Sequence, residues 1–337
     1  MHTPTPHLAV DRRVMDWLLD ADPALIWQVE RDLAASLPPD RRDTADWRAT
    51  RARVAQEGWG AALLARQDPD GQWAGGAHFP AGFFDAPEGT PQPFTATSWS
   101  LKSLREWGVP ATALGDTAAR LATHARWEYD DLPFWGGEVD ACINAYTLAS
   151  GAWLGVDVAP LVAWFREQHL PDGGWNCYAI EHGATRSSFH STLSVITELL
   201  TYEQLTGDDS VAPLRHRGED YLLQRGLMHR LSTGEVVGDF VTDFIAPRRH
   251  QYSALAALDH FRAASLHDHT TPDPRLAEAV DVVVHRRQPD GRWLQGNALP
   301  GVVWFAVDAA PREPSRWVTL QALRVLDWWG AGQNGRP

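Results

Sequence analysis

The feature that most restricts the fold of this chain is a short motif that occurs three times. The motif begins with glutamine and ends with glycine, one further residue and tryptophan, at residues 67–73, 168–175 and 288–293. In each copy Pro-Asp-Gly supplies a turn that ends a helical pattern. The apolar spacing of residues 159–168 and 277–287 predicts the helices that precede two of the turns.

Each motif leads into another apolar run, and a weaker copy of the motif at residues 133–137 does the same. The starts of these runs can be aligned, and they begin at Phe94, Val139, Phe189, Arg249 and Ser315. Helices in the interior of such an array must be apolar on nearly all sides, which fits the segments 191–200 and 302–308. The alignment predicts five equivalent inner helices.

Alternating helices at a spacing of roughly 45 to 65 residues, without a period-two strand pattern, predict an all-α fold. We expect a closed barrel of inner and outer helices that forms one domain over residues 1–337. A helical N-terminal segment is expected at about residues 10–60, where Asp22 and Pro23 have the residue types of a helix cap and first turn.

The bulk composition excludes several classes of protein. A net charge of −13, spread along the chain, argues against nucleic acid as a partner. The sequence has neither a signal-like N-terminus nor an apolar stretch long enough to span a membrane, so we expect a cytoplasmic protein. In that compartment the two cysteines, Cys142 and Cys177, are expected to be buried thiols or metal ligands rather than a disulfide.

The alignment of helix starts predicts a polar rim above an apolar wall, which is the layout of a binding pocket. Thr95, Asp140, His190, His250 and Arg316 take one equivalent position, and Cys142 and Tyr252 follow two residues later. Asp140, Cys142 and His190 together offer the oxygen, sulfur and nitrogen donors that suit Zn²⁺. Three protein ligands leave a fourth position open, which indicates a catalytic metal that activates a thiol, water or carbonyl group.

Each of these residues also has a simpler interpretation. Asp140 has the residue type of a helix N-cap, Cys142 that of a small buried side chain, and His190 that of a hydrogen-bonded core histidine. Three roles are open to Cys177: a fourth ligand that closes the site, a reactive thiol beside the metal, or an ordinary loop residue. His250 and Tyr252 are predicted to orient substrate or donate a proton.

The three Gly-x-Trp loops resemble the Gln-Trp repeats of the squalene cyclase and terpene cyclase superfamily, which implies an (α/α)6 barrel. Asp140-x-Cys142, followed about fifty residues later by Phe189-His190, resembles the zinc site of protein prenyltransferase β subunits in the same superfamily. By that resemblance Asp140, Cys142 and His190 are the zinc ligands. Arg186 then lies beside the site, and Cys177 lies near the place of the diphosphate.

The chain also departs from the pattern of that family. Phe134 and Gly137 stand where those enzymes have an arginine and a lysine for the diphosphate, and nothing in the sequence suggests a partner subunit. The acidic run 128–131 is the nearest approach to the acid motif of a cyclase, but it lies before the glycine turn and has the wrong phase in the repeat.

The sequence therefore predicts a zinc-dependent transferase or lyase, of the prenyltransferase or cyclase type, that binds a small, largely apolar molecule such as an isoprenoid. The alternatives are a metal-independent isoprenoid cyclase and a non-catalytic carrier of an apolar ligand with structural zinc. The expected catalytic residues are Cys177, His250 and Tyr252. The expected substrate-binding residues are Thr95, Trp135, Trp175, Arg186 and Arg316.

Overall fold

The computed structural model describes residues 10–334, and within that range all regular secondary structure is helical. The only β-type pairs among these residues are four isolated bridges, so the predicted all-α class is confirmed. The α-helices are α1 (Arg12–Leu19), α2 (Pro23–Asp32), α3 (Pro39–Arg42), α4 (Trp47–Arg53), α5 (Gly58–Leu64), α6 (Thr97–Trp107), α7 (Thr117–His124), α8 (Ala141–Trp153), α9 (Ala159–Glu167), α10 (Ala179–His182), α11 (Phe189–Thr206), α12 (Ala212–Leu223), α13 (Ala254–His267), α14 (Ala277–His285) and α15 (Arg316–Asn334).

Short 3-10 helices lie at Ala34–Ser36, Phe83–Asp85, Ala111–Leu114, Phe134–Gly136, Asp209–Val211, Asp239–Thr242 and Pro274–Leu276. The predicted start of α2 is confirmed, because the Asp22 carboxylate accepts a hydrogen bond from the N–H of Ala24 at 2.9 Å and Pro23 occupies the first turn. No helix among the described residues has the length and apolarity that crossing a lipid bilayer requires.

The chain divides into two compact units, each assembled from separate stretches of sequence. The central unit consists of Ala52–Tyr221 and Leu299–Ala306. The terminal unit consists of the described residues up to Arg51, Leu222–Ala298 and those from Val307 onwards. The single domain expected over residues 1–337 stays a prediction.

The three Gly-x-Trp motifs form the same structure in each copy. Each tryptophan is fully buried, and its indole Nε1 donates to the carbonyl ten residues earlier, at the end of the preceding helix. Its backbone N–H donates to a threonine hydroxyl near the start of the following helix, at 3.0–3.1 Å. The three pairs are Trp73 with Thr97, Trp175 with Thr192, and Trp293 with Thr319. The motif therefore ties consecutive helices together, which is why it is repeated.

In the central unit α8 packs between α6 and α11, α5 packs on α6, and α9 packs on α8. Helix α8 is buried on every side from Ile143 to Gly151, as predicted for an inner helix. The segment 191–200 lies within α11 and is likewise almost entirely buried. Burial of apolar surface on all sides is the main source of stability for such helices.

In the terminal unit α15 contacts α2, α13 and α14, and α1 packs on α2. Buried aliphatic side chains fill this unit, and an ion-pair network around Arg324 crosses it. Arg324 donates to Asp259 on α13 and, at 3.1 Å, to Asp32 at the end of α2. The network joins three helices through one side chain.

The prediction of an inner helix at residues 302–308 is wrong. This segment is not helical, and Val302 is 65% exposed. Instead, the carbonyl of Val302 accepts a hydrogen bond from the N–H of Phe94 at 2.8 Å. Prolines at 300, 311 and 314 flank the segment, and the helix begins only at Arg316, where Asp308 accepts from the backbone N–H.

Candidate metal and thiol site

A tight turn and a side-chain clamp position the N-terminus of α8. Gly137 has a φ of 79°, in the left-handed region that favours glycine. The N–H of Glu138 donates to Asn144 Oδ1 at 2.7 Å, and Asn144 Nδ2 donates to the carbonyl of Glu138 at 2.7 Å. Because Asn144 lies in the first turns of α8, the clamp fixes the entry of the chain into Asp140 and Cys142.

Replacing Gly137 with alanine is expected to lower the free energy of unfolding by about 2–4 kcal/mol. A Cβ atom there would lie 2.5 Å from Leu161 Cδ2 and still closer to Asn144 Oδ1. Gly155→Ala is the matched control, because Gly155 has a similar φ of 76° but no atom within 4 Å of an added Cβ. We expect that control to lose about 1 kcal/mol. Equal losses in urea denaturation would show that the clamp contributes nothing.

The second half of the site comes from the loop after Trp175. This loop is held against the start of α11, because the N–H of Trp175 donates to Thr192 and the N–H of Cys177 donates to Ser191 Oγ at 3.1 Å. The side chain of Cys177 then meets α8. Its Sγ lies 3.2 Å from Cys142 Sγ and 3.4 Å from the backbone nitrogen of Cys142. Both cysteines are free thiols and partly exposed.

Asp140 completes a group of three potential metal ligands. One carboxylate oxygen of Asp140 and the sulfurs of Cys142 and Cys177 all lie within 4.8 Å of one another. Asp140 occupies the N-cap position of α8, but its side chain makes no capping hydrogen bond. The carboxylate is therefore not engaged in the role that the simpler interpretation gave it, and it remains available to a ligand.

Burial and nearby negative charge raise the pKa of both acidic side chains at this point. Burial and then the charge of Asp140 raise the pKa of Glu138 to about 7. Burial and then the charge of Glu181 raise the pKa of Asp140 to about 6, while His182 acts in the lowering direction. Since negative groups crowd one partly buried place, a bound cation would be stabilised there.

The two thiols differ because one donates a hydrogen bond to the other. That hydrogen bond, followed by burial, raises the pKa of Cys142 well above its usual value. The same hydrogen bond lowers the pKa of Cys177, although burial opposes it. Cys177 is therefore the sulfur that holds negative charge more easily.

An aromatic cluster contacts the site from the side of α6. Its buried members are Phe94, Ala96, Trp99 and Tyr146, and Cys142 packs against them. The rings of Phe94 and Trp99 meet edge to face, with centroids 5.2 Å apart. The surroundings of Cys142 are therefore apolar on this side.

His190 does not enter the group that Asp140 forms with the two cysteines. The register explains the difference. The Asn144 side chain is hydrogen-bonded to the backbone of Glu138, and the Thr192 side chain is hydrogen-bonded to the backbone of Trp175. Asn144 and Thr192 are each the fourth residue of their helix. By this criterion Cys142, rather than Asp140, corresponds to His190, so the predicted alignment of these two starts is shifted by two residues.

The other predicted residues of the central unit have mixed surroundings. Trp175 is fully buried, and its indole donates to Phe165, which favours a packing role over substrate contact. Trp135 is half-buried and donates to the carbonyl of Ala118 at 3.0 Å. Thr95 is buried, and its carbonyl accepts from Trp304. Arg186 is exposed on the loop before α11.

Three predicted site residues belong to the terminal unit. Tyr252 is 1% exposed and its hydroxyl donates to the carbonyl of Leu227 at 2.8 Å, which favours a structural role. His250 is half-buried in the segment before α13. Arg316 donates to the carbonyl of Trp17 and lies over its ring at 4.9 Å. Thr319 accepts from the motif tryptophan just as Thr97 and Thr192 do. Trp317, two residues before Thr319, therefore takes the position that the sequence alignment gave to Arg316, and that alignment is wrong by one residue.

Sequence reasoning missed the roles of Glu128 and Ser191. The Glu128 carboxylate accepts hydrogen bonds from the backbone N–H groups of Ala77, His78 and Phe79, so it anchors a loop. The hydroxyl of Ser191 accepts a hydrogen bond from the backbone N–H of Cys177 and donates one to Cys177 Sγ. No spacing signal in the sequence marks either contact.

The chain matches no protein-family model, and no curated protein is significantly similar to it.

Proposed function

We propose that this chain is a zinc-dependent enzyme that acts on a small, largely apolar molecule, with Asp140, Cys142 and Cys177 as the protein ligands of the metal. The observation that carries the proposal is that the donor atoms of these three side chains lie within 4.8 Å of one another. Two thiolates and one carboxylate form a donor set that suits Zn²⁺ and does not suit Mg²⁺ or Ca²⁺.

Three protein ligands are typical of catalytic zinc, because the fourth position stays available to a substrate group that the metal polarises. The surrounding residues would position that substrate. The Asn144 clamp orients the start of α8. The backbone N–H of Asp140 donates to Glu138 Oε1 at 2.6 Å, and Glu138, with a pKa of about 7, can hold or release a proton close to Asp140.

The surroundings of the site favour a neutral apolar substrate over a diphosphate. The aromatic cluster packed against Cys142 makes one side of the site apolar. The charges that act on Asp140 are those of Glu181 and His182, and Phe134 and Gly137 replace the basic residues of the family that the sequence resembles. A dianionic group would meet carboxylates rather than guanidinium groups.

We further propose an (α/α)6 barrel of the squalene cyclase and prenyltransferase type as the fold of this chain. The support is the identical hydrogen-bond pattern of the three Gly-x-Trp motifs, which recurs in both units. Alkyl or prenyl transfer to a nucleophile is the reaction that this resemblance favours, but fold alone does not define chemistry.

Metal content tests the proposal. Purified wild-type protein is expected to contain about one zinc per chain by elemental analysis, as one site with three ligands requires. Cys142→Ala and Cys177→Ala should each lose the metal, and His124→Ala, an exposed histidine of α7, serves as the control. His190→Ala decides between the two ligand sets, because retention of zinc supports Cys177 and loss supports His190. Wild-type protein that binds no zinc would overturn the proposal.

Turnover tests the enzyme class. A chelator should abolish conversion of a neutral prenyl or alkyl substrate, and added zinc should restore it. Turnover of a polyprene that persists in chelated protein would support the metal-independent cyclase instead.

A further inference from the structure

The only two cysteines of the chain lie side by side at the site, close enough to form a disulfide after a small movement. Their sulfurs are 3.2 Å apart, whereas a disulfide needs about 2.05 Å. A change of about 1.1 Å is within the reach of small side-chain rotations. Both residues are partly exposed.

The surroundings of the two sulfurs are unequal. Two donors are directed at Cys177 Sγ: the backbone N–H of Cys142 at 3.4 Å and the hydroxyl of Ser191 at 3.3 Å. Cys142, in contrast, packs against the aromatic cluster. Hydrogen-bond donors beside Cys177 can also hold a polar hydroperoxide next to its sulfur, which the apolar side chains beside Cys142 cannot do. The geometry thus separates an attacking cysteine from a resolving one.

We propose that Cys177 is a hydroperoxide-reactive thiol and that Cys142 resolves its oxidation by forming an intramolecular disulfide. Cys177 thiolate attacks one oxygen of the hydroperoxide, the O–O bond breaks, and with one proton the products are Cys177 sulfenic acid and water or an alcohol. Cys142 sulfur then attacks the sulfenic sulfur, the S–O bond breaks, and water leaves with the Cys142 proton. Two thiols are oxidised, and one hydroperoxide is reduced.

This inference deepens the proposed function, since the same two sulfurs would be metal ligands. A disulfide removes two of the three donors, so oxidation would release the metal and reduction would restore binding. Bound zinc should in turn protect both thiols from oxidation. The site would then respond to hydroperoxide as a switch between a metal-binding and a metal-free form.

The experiment uses full-length, chelator-treated protein and hydrogen peroxide. Wild type is expected to lose two hydrogen atoms by intact mass, and reductant should reverse the loss. Cys142→Ser is expected to accumulate sulfenic acid at Cys177, trapped by a dimedone-type reagent and located by peptide mass spectrometry. Cys177→Ser should give little trapping at Cys142. Equal trapping at either cysteine, or no disulfide in the wild type, would overturn the inference.

Ser191→Ala tests the role of the donors without touching either sulfur. Removal of one hydrogen bond to the reacting thiolate is expected to slow sulfenic acid formation by about 3–10-fold. A Thr123→Ala control removes an exposed hydroxyl on α7 and should leave the rate unchanged. If Ser191→Ala reacts at the wild-type rate, hydrogen bonding does not select Cys177, and the proposed order of attack is wrong.

The zinc and redox experiments fail separately. Disulfide formation is measured in metal-free protein, so it does not require zinc. If the purified protein binds no zinc but oxidises in the stated order, the proposed function is wrong and the inference about the thiols holds. If zinc binds but the disulfide does not form, the reverse conclusion follows.

Discussion

Arg324→Met is expected to lower the free energy of unfolding by about 2–4 kcal/mol, because it removes the buried cation that Asp32 and Asp259 share and leaves them only Arg31 and Arg262 as partners. The guanidinium of Arg324 is about nine-tenths buried and joins α15 to Asp259 on α13 and Asp32 on α2. Methionine keeps much of the volume of the side chain, so the loss reflects the charge rather than a cavity. Urea denaturation monitored by circular dichroism measures the effect.

Arg275→Met provides the matched control. Arg275 pairs with Asp273 on an exposed segment of the same unit, and surface ion pairs contribute about 0–1 kcal/mol. If both variants lose equally little stability, the buried network does not hold the three helices together.

The loss in Arg324→Met is also expected to depend on pH. Burial alone would raise the pKa of Asp32, but a hydrogen bond from Arg31 and the charge of Arg324 hold it at about 2. A carboxylate with a lowered folded-state pKa contributes stability above its unfolded pKa of about 4 and loses that contribution as the pH falls toward 2. The difference between wild type and variant should therefore be largest near neutrality and shrink below pH 4.

Trp175→Ala is expected to cost about 3–5 kcal/mol, the range found for large aromatic side chains removed from a core. Trp175 is fully buried, and its two N–H groups tie the loop to the end of α9 and the start of α11. The same loop carries Cys177, so disulfide formation with Cys142 should also become slower. Thermal or urea unfolding and peroxide titration measure the two effects.

Trp164→Ala is the control for Trp175→Ala. Trp164 lies on α9 next to Phe165 but is only half-buried. We expect it to lose less than half as much stability, with unchanged disulfide formation. A Trp175→Ala protein that keeps wild-type stability would contradict the structural role of the Gly-x-Trp motif.

The positions of many helix ends could be predicted from the sequence alone. The Pro-Asp-Gly turns after residues 168 and 288 end α9 and α14 close to the predicted positions. Asp22 and Pro23 start α2 as expected. These features depend on neighbouring residues, whose conformational preferences act within one or two turns of chain. The prediction of a helix at residues 302–308 was wrong because the apolar pattern of this segment fits a helix as well as it fits a buried extended segment. The backbone hydrogen bond with Phe94 is a long-range contact, which the local pattern does not contain.

The candidate site shows where local information ends. The sequence by itself determined that Asp140 and Cys142 lie together at a helix start, because two residues at that spacing share the first turn wherever the helix packs. Only the tertiary structure decided that Cys177, and not His190, brings its donor atom to them. Which side chain arrives depends on the loop after Trp175, which Ser191 and Thr192 hold at the start of α11. That loop meets α8 through a contact between residues 35 positions apart in the chain, which no local preference encodes.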